Sequence, residues 1–195
     1  MTVRWTQAAM RAVAEEERTG LGLTPAAPLD PYLLAAEHGI PVYPLEILAD
    51  GARSDRAVRH FLGGASAAWS AALVPIGGAR VIIENTTHAP WRRRSSIAHE
   101  LGHHLLEHEF DEVLLTGEGC RRFDPRRERQ ATFLAGELLV PWIAARRAAF
   151  DGTSDQALAR RYGVSEQFAR MRTAGPRVLA RRALAKQYGY PAAGA

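Results

Sequence analysis

His99-Glu100-Leu101-Gly102-His103 is the stretch on which the fold of this chain turns. An α-helix advances about 100° per residue, so imidazoles four positions apart lie about 40° from each other on one face. That spacing offers two ligands to one metal ion. Glu100 is offset toward whatever the metal holds, where the His-Glu-x-x-His pattern of metal-dependent peptidases places its general base. Ile97, Leu101 and Leu105 recur at steps of four on the opposite side, which predicts a helix that docks by one face and presents the metal ligands from the other. Thr86 or Thr87 is placed to cap it, Pro90 suits its first turn, and Gly102 predicts a close backbone neighbour. The run Arg92-Arg93-Arg94 reads as a solvated first turn.

Working outward, the period changes between Ala65 and Asn85. Two apolar runs, Ala71-Ala-Leu-Val and Arg80-Val-Ile-Ile-Glu, flank Gly77-Gly78 and predict a hairpin with a glycine turn. The unbroken Val81-Ile82-Ile83 predicts a strand covered on both faces. Earlier, a helix ends at Gly20, a Gly/Pro-rich connector runs through Pro28, and a short helix is capped by Asp30 and stopped by Gly39. Prolines at 41 and 44 confine the following extended segment to an edge strand or a loop. Beyond the histidines, Asp124-Pro125 starts a helix that runs to Val140, where Pro141 ends it, and another helix extends through Phe150.

Two histidines do not complete a catalytic zinc site, which needs a third protein ligand and one open position. The helix from Pro125 offers Glu128, Gln130 and Glu137. A carboxylate binds zinc far better than a neutral amide, which places Glu128 ahead of Gln130. Ala131 and Ala135 continue the Glu128 face with small side chains and allow a close approach to the His99 helix. Glu137, between Gly136 and Leu138, reads as a solvated surface acid. Cys120 is the single cysteine, which excludes an intrachain disulfide and a multi-thiolate zinc site; it reads first as a lone buried or loop thiol and second as a fourth ligand. Glu107 falls near the metal side and reads first as an ordinary exposed acid and second as an acceptor for an imidazole N–H. His88, His104 and His108 read first as satisfied or solvent-facing histidines and second as candidates for stabilising an oxyanion, and His104 points about 100° away from His103.

The chain has 195 residues, 47% hydrophobic and 24% charged, enough for one core and too few for two large domains. No run of 18 apolar residues and no basic-then-apolar leader occurs, which predicts a cytoplasmic protein with no membrane partner. The net charge of +4 is a weak pointer to acidic partners, because Lys186 is the only lysine and arginine supplies the rest, as codon bias would.

Arg92-Arg-Arg-Ser-Ser-Ile-Ala-His-Glu-Leu-Gly-His-His-Leu-Leu, followed by Glu128-Arg-Gln-Ala-Thr-Phe-Leu-Ala-Gly-Glu-Leu-Leu-Val-Pro, resembles the ImmA/IrrE zinc metallopeptidases. Those proteins show an AHELGH helix and then a glutamate-bearing helix ending in Leu-Leu-x-Pro. The likeness extends from about residue 28 to 175. The family's second helix often reads Glu-x-Glu/Gln-Ala-Asn-x-Phe-Ala; here Thr132 replaces the asparagine and Phe133-Leu134 shifts the aromatic by one. Where that pattern has a second acid this chain has Gln130, which keeps Gln130 beside Glu128 as a third-ligand candidate. The resemblance implies an α+β, zincin-like single domain, mostly helical, with a small antiparallel sheet before the HExxH helix. It implies Zn2+ as cofactor, held by His99, His103 and Glu128, with Glu100 catalytic.

The expected organisation is an amino-terminal helix and connector over 1–27, the metallopeptidase core over 28–150, and carboxyl-terminal helices over 151–195 packed on that core. Thr153 and Gln156 form a capping box, Gly163 breaks a helix, and Ser165 caps the next, a helix-turn-helix pattern. Gln167, Arg170 and Arg172 would be its DNA contacts, but Glu166 at the helix start repels phosphate, so direct DNA binding is not expected. The resemblance implies regulated cleavage of a repressor or antitoxin-type protein in a stress, phage or mobile-element circuit. The partner is then a protein substrate of helix-turn-helix type, encoded nearby. The alternative is a non-catalytic transcriptional regulator of the same fold that binds DNA or a partner protein through its carboxyl-terminal helices.

Overall fold

The computed structural model describes residues 5–108 and 124–188. Helix α1 (Gln7–Gly20) is capped by Thr6, whose hydroxyl accepts from Ala9 N–H. Helix α2 (Pro31–Glu37) is capped by Asp30, and Gly39, at φ 64, turns the chain into strand β1 (Val42–Pro44). Helix α3 (Ala52–Leu62) precedes the hairpin of β2 (Ala71–Ile76) and β3 (Ala79–Glu84), with Gly77 at φ 59 in the two-residue turn. Helix α4 (Pro90–Leu105) carries the two histidines. After it come α5 (Pro125–Leu139), α6 (Trp142–Phe150), α7 (Asp155–Tyr162) and α8 (Glu166–Tyr188). Among the described residues no helix is long and apolar enough to cross a membrane.

The architecture is α+β, mostly helical with a small sheet, as expected, but the sheet is mixed rather than antiparallel. Its order is β1-β3-β2, with β2 antiparallel to β3 and β1 parallel to it, Val42 opposite Ile82. The difference arises because β1 reaches the far side of β3 through the crossover that contains α3 and β2; a parallel neighbour needs such a long connection. β3 is therefore the central strand, and both its faces are covered. Leu73 and Ile82 on one face join Ile97 and Leu101 of α4 and Leu134 and Leu138 of α5. Val74, Val81 and Ile83 on the other pack with Leu45, Val58 and Phe61.

A second apolar cluster ties the carboxyl-terminal helices to the site-bearing pair. Ala98 of α4 and Ala135 and Leu139 of α5 meet Leu158 and Tyr162 of α7 and Ala169 of α8. The turn between α7 and α8 has Gly163 at φ 62, and Ser165 accepts from Phe168 N–H. Ser154, not Thr153, caps α7, accepting from Ala157 N–H. Helix α8 continues through Pro176 to Tyr188, well past a recognition-helix length.

Three local expectations change. Neither threonine caps α4: its N-cap is Ala89, while Thr87 donates to Asn85 Oδ1 and Thr86 to Glu46 Oε1. Of the arginine run, Arg92 is exposed as expected, while Arg93 and Arg94 form a clamp. Arg93 grips the buried Glu84 of β3 with two donors, at 3.0 and 2.6 Å; Arg94 reaches Asp30 and Leu29 O beside α2; Arg92 donates to Ser70 Oγ and Ala67 O. Tyr32 O–H also donates to Glu84, and its burial, with that carboxylate beside it, pushes its pKa up to about 12. Each arginine can reach a different element because the first turn of α4 lies against the sheet end. Glu137 is the third change: it is 2% exposed, ion-paired to Arg11 of α1 and Arg172 of α8, and accepts from Trp142 N–H. The acid turns inward because α5 is enclosed by α1 and α8, both of which bring arginines to it.

Candidate metal centre

Helices α4 and α5 lie against each other almost backbone to backbone. A Cβ on Gly102 would stand 2.8 Å from Ala131 O and 3.1 Å from Ala131 Cα, so only glycine permits this approach. Ala131 is fully buried. Ile97 and Leu101, both 0% exposed, pin the opposite side of α4 into the core, each contributing about 1.5–3 kcal/mol. The polar face of α4 is thereby turned toward the first turns of α5.

Across that gap His99, His103 and Glu128 come together, each offering one donor atom within 4.8 Å of the others. His99 Nε2 is 3.1 Å from Glu128 Oε2, His103 Nε2 is 3.4 Å from Glu128 Oε1, and the two Nε2 atoms are 3.1 Å apart. A tetrahedral ion with donor bonds of about 2.0–2.1 Å has donor-to-donor edges of about 3.3–3.4 Å. Each measured pair is close to such an edge, the two histidines meeting different oxygens of the one carboxylate, and two nitrogens with a carboxylate suit zinc. The side chains of His103, His99 and Glu128 are 11%, 27% and 32% exposed, so the cluster is buried on one side and open on the other.

Glu100 lies on the same helix and is buried. Its Oε2 accepts from Leu73 N–H of the edge strand β2 at 2.9 Å. The carboxylate is thus held between α4 and the sheet and lines a cleft of about 230 Å³ with Ser70, Ala71, Arg92, Ser95, Ser96 and His99. No local sequence signal announces this anchor, because the donor is a backbone amide 27 residues away. A larger cleft of about 760 Å³, walled by Trp5, Met10, Arg126, Arg129, Gln130 and Phe133, includes neither Glu100 nor the paired histidines.

The other described candidates stand outside the three-residue cluster. Gln130 sets its Oε1 3.1 Å from His108 Nε2, and His108 Nδ1 lies 3.0 Å from His103 Nδ1. Burial, foremost, holds His108 below the ordinary imidazole value. Glu107 is an exposed acid, as its favoured reading has it, and sits at φ 51 in the turn that ends α4. Its neighbour His108 takes the place beside His103. His104 accepts from Arg80 Nη1 at 2.7 Å and meets the His38 ring edge-on; burial, then the charge of Arg80, lowers its pKa. His88 donates to Ser66 O. Cys120 lies outside the described residues.

The helix-turn-helix residues are partly committed. Arg172 pairs with the buried Glu137 at 2.7 Å and donates to Val140 O, while Arg170 faces Asp155 and Glu166; Gln167 is exposed.

No curated protein matches the chain. The model of the Peptidase_M78 family, described as an IrrE N-terminal-like domain, matches residues 35–174, a span that holds both histidines, Glu100 and Glu128. With well over half of its length matched to that model, the chain belongs to the Peptidase_M78 family, a family of metallopeptidase type.

Proposed function

We propose that this chain is a zinc-dependent endopeptidase that cuts a specific regulatory protein. The observation that carries the proposal is the convergence of His99, His103 and Glu128, with ligand atoms within 4.8 Å of one another and Glu100 held beside them at the edge of the sheet. A zinc ion held there supplies Lewis-acid polarisation of a carbonyl and lowers the pKa of water toward about 7. Glu100 is the general base: it takes the proton of the attacking water and returns it to the leaving amine. Leu73 N–H donates to Oε2 of the carboxylate, which helps set its orientation before substrate arrives.

The substrate we propose is a repressor or antitoxin-type protein of helix-turn-helix class in a stress, phage or mobile-element circuit, cut in the cytoplasm. The cleft beside Glu100 is small, about 230 Å³, which supports a selective enzyme. A peptidase acting inside its own cell needs such selectivity against other proteins. Action on protein rather than DNA is supported by the pairing of Arg172 with Glu137 and of Arg170 with Asp155 and Glu166.

The test is incubation of the zinc-loaded chain with casein and with the helix-turn-helix repressor encoded nearest its gene. One cut in the repressor, intact casein, and loss of cleavage by more than about 100-fold in Glu100→Gln are expected. Undiminished cleavage by Glu100→Gln removes the assigned base, and digestion of casein at many sites removes the regulatory role.

A further inference from the structure

The end of α4 folds one residue back onto the metal side. Glu107 N–H donates to His104 O, and His108 N–H donates to His103 O at 3.0 Å, with Glu107 in the left-handed region at φ 51. These are the paired bonds of a Schellman turn, in which a glycine is usual. A glutamate there costs about 1–2 kcal/mol. The turn delivers the buried His108 ring against the His103 ring, with centroids 5.1 Å apart, and against Gln130 of α5. His108 serves neither as donor to the cluster nor as base.

We infer that Gln130 and His108 form a relay that sets the tautomer of His103 and thereby turns its Nε2 lone pair toward the metal. The amide oxygen Oε1 of Gln130 only accepts, so His108 Nε2 must carry hydrogen. A neutral imidazole carries one such hydrogen, which leaves His108 Nδ1 as an acceptor. The atom facing it, His103 Nδ1 at 3.0 Å, must then be the donor. With its hydrogen on Nδ1, His103 has a bare Nε2, and that atom faces His99 and Glu128.

The reverse arrangement fails at the last step. Were the amide turned so that its NH2 faced His108, every donor along the line would invert, and His103 Nε2 would carry hydrogen and bind no metal. Ligand histidines commonly hold their orientation by donating to a carboxylate or carbonyl. In this chain an imidazole stands between the ligand and a neutral amide, so the direction of the whole line is fixed on α5, the helix that also supplies Glu128. Gln130 and His108 are positioning residues that touch neither substrate nor metal. The relay also gives a physical reason for glutamine at 130: it is a neutral acceptor two residues beyond the anionic donor.

The inference rests on the metal-site proposal, and the experiment separates the two. Long-range 1H–15N spectra of the metal-free wild-type chain report which ring nitrogen of each histidine carries hydrogen. Hydrogen on Nδ1 of His103 and on Nε2 of His108 is expected; hydrogen on Nε2 of His103 overturns the relay whatever the metal does. Zinc affinity, read by competition with a chromophoric chelator, is expected to fall about 10–100-fold in Gln130→Met and to be restored to within a few-fold in Gln130→Glu, which also only accepts. Unchanged affinity and unchanged His103 tautomer in Gln130→Met contradict the relay while leaving the zinc site standing. Correct tautomers in a chain that binds no zinc remove the metal site and leave the relay in place.

Discussion

Gly102 of α4 and Ala131 of α5 are in such close register that a single Cβ between them would fall 2.8 Å from a backbone oxygen. This contact sets the distance across which Glu128 faces His99 and His103. Gly102→Ala should therefore act at two levels. It should destabilise the fold by about 1–3 kcal/mol in urea denaturation, as overpacking does, and weaken zinc binding as Glu128 is displaced. A variant with wild-type stability and affinity would show that the helices have slack here.

Glu137 predicts a loss of stability without loss of the site. It is 2% exposed and paired with Arg172, whose side chain is 11% exposed, and with the more open Arg11. Removing one partner of a buried pair strands the other and costs about 3–5 kcal/mol. Glu137→Gln keeps the acceptor for Trp142 N–H, so about 3 kcal/mol is expected by chemical denaturation, with tautomers and zinc stoichiometry of the remaining folded chain unchanged. A loss below about 1 kcal/mol would mean that water already screens the cluster.

Asp155 predicts a pH dependence. Burial pushes its carboxyl up, but donors from Arg177, Thr173 and Arg170 outweigh it and hold the pKa below the ordinary value. A depressed carboxylate contributes stability that is present above the unfolded pKa of about 3.9 and is lost as pH falls through the lower folded value. Asp155→Asn should thus be less stable than wild type at pH 7, and the gap should narrow toward pH 3. The same gap at both pH values would assign the effect to packing between α7 and α8.

The legible parts of this molecule are those whose cause is local. His99 and His103 share a helix face by spacing alone, the stripe of Ile97, Leu101 and Leu105 orients that helix, and Asp124-Pro125 announces the next one. Gly102 signalled a close neighbour for the same reason, since a missing Cβ in a helix needs a partner. The illegible parts depend on distant partners. Glu137 reads as a surface acid because Arg11 is 126 residues away, and Arg93 reads as solvated because Glu84 belongs to another element. Helix α3 is bounded by Gly51 and Gly63, and among its described side chains Val58, Phe61 and Leu62 mark the face it lays on the sheet. The parallel pairing of β1 is set by a crossover, which strand periodicity does not encode. His108 was visible as a histidine but not as a neighbour of His103, because the left-handed turn at Glu107 is taken by a residue that seldom adopts it.

The central claim is that His99, His103 and Glu128 hold one zinc ion. Metal analysis of the zinc-reconstituted chain after gel filtration tests it most directly, on wild type, Glu128→Ala and Gln130→Met together. About one zinc per chain is expected for wild type, well under half for Glu128→Ala, and close to one at saturating zinc for Gln130→Met, whose defect is affinity rather than a missing ligand. Full zinc on Glu128→Ala, with affinity equal to wild type, would contradict the account.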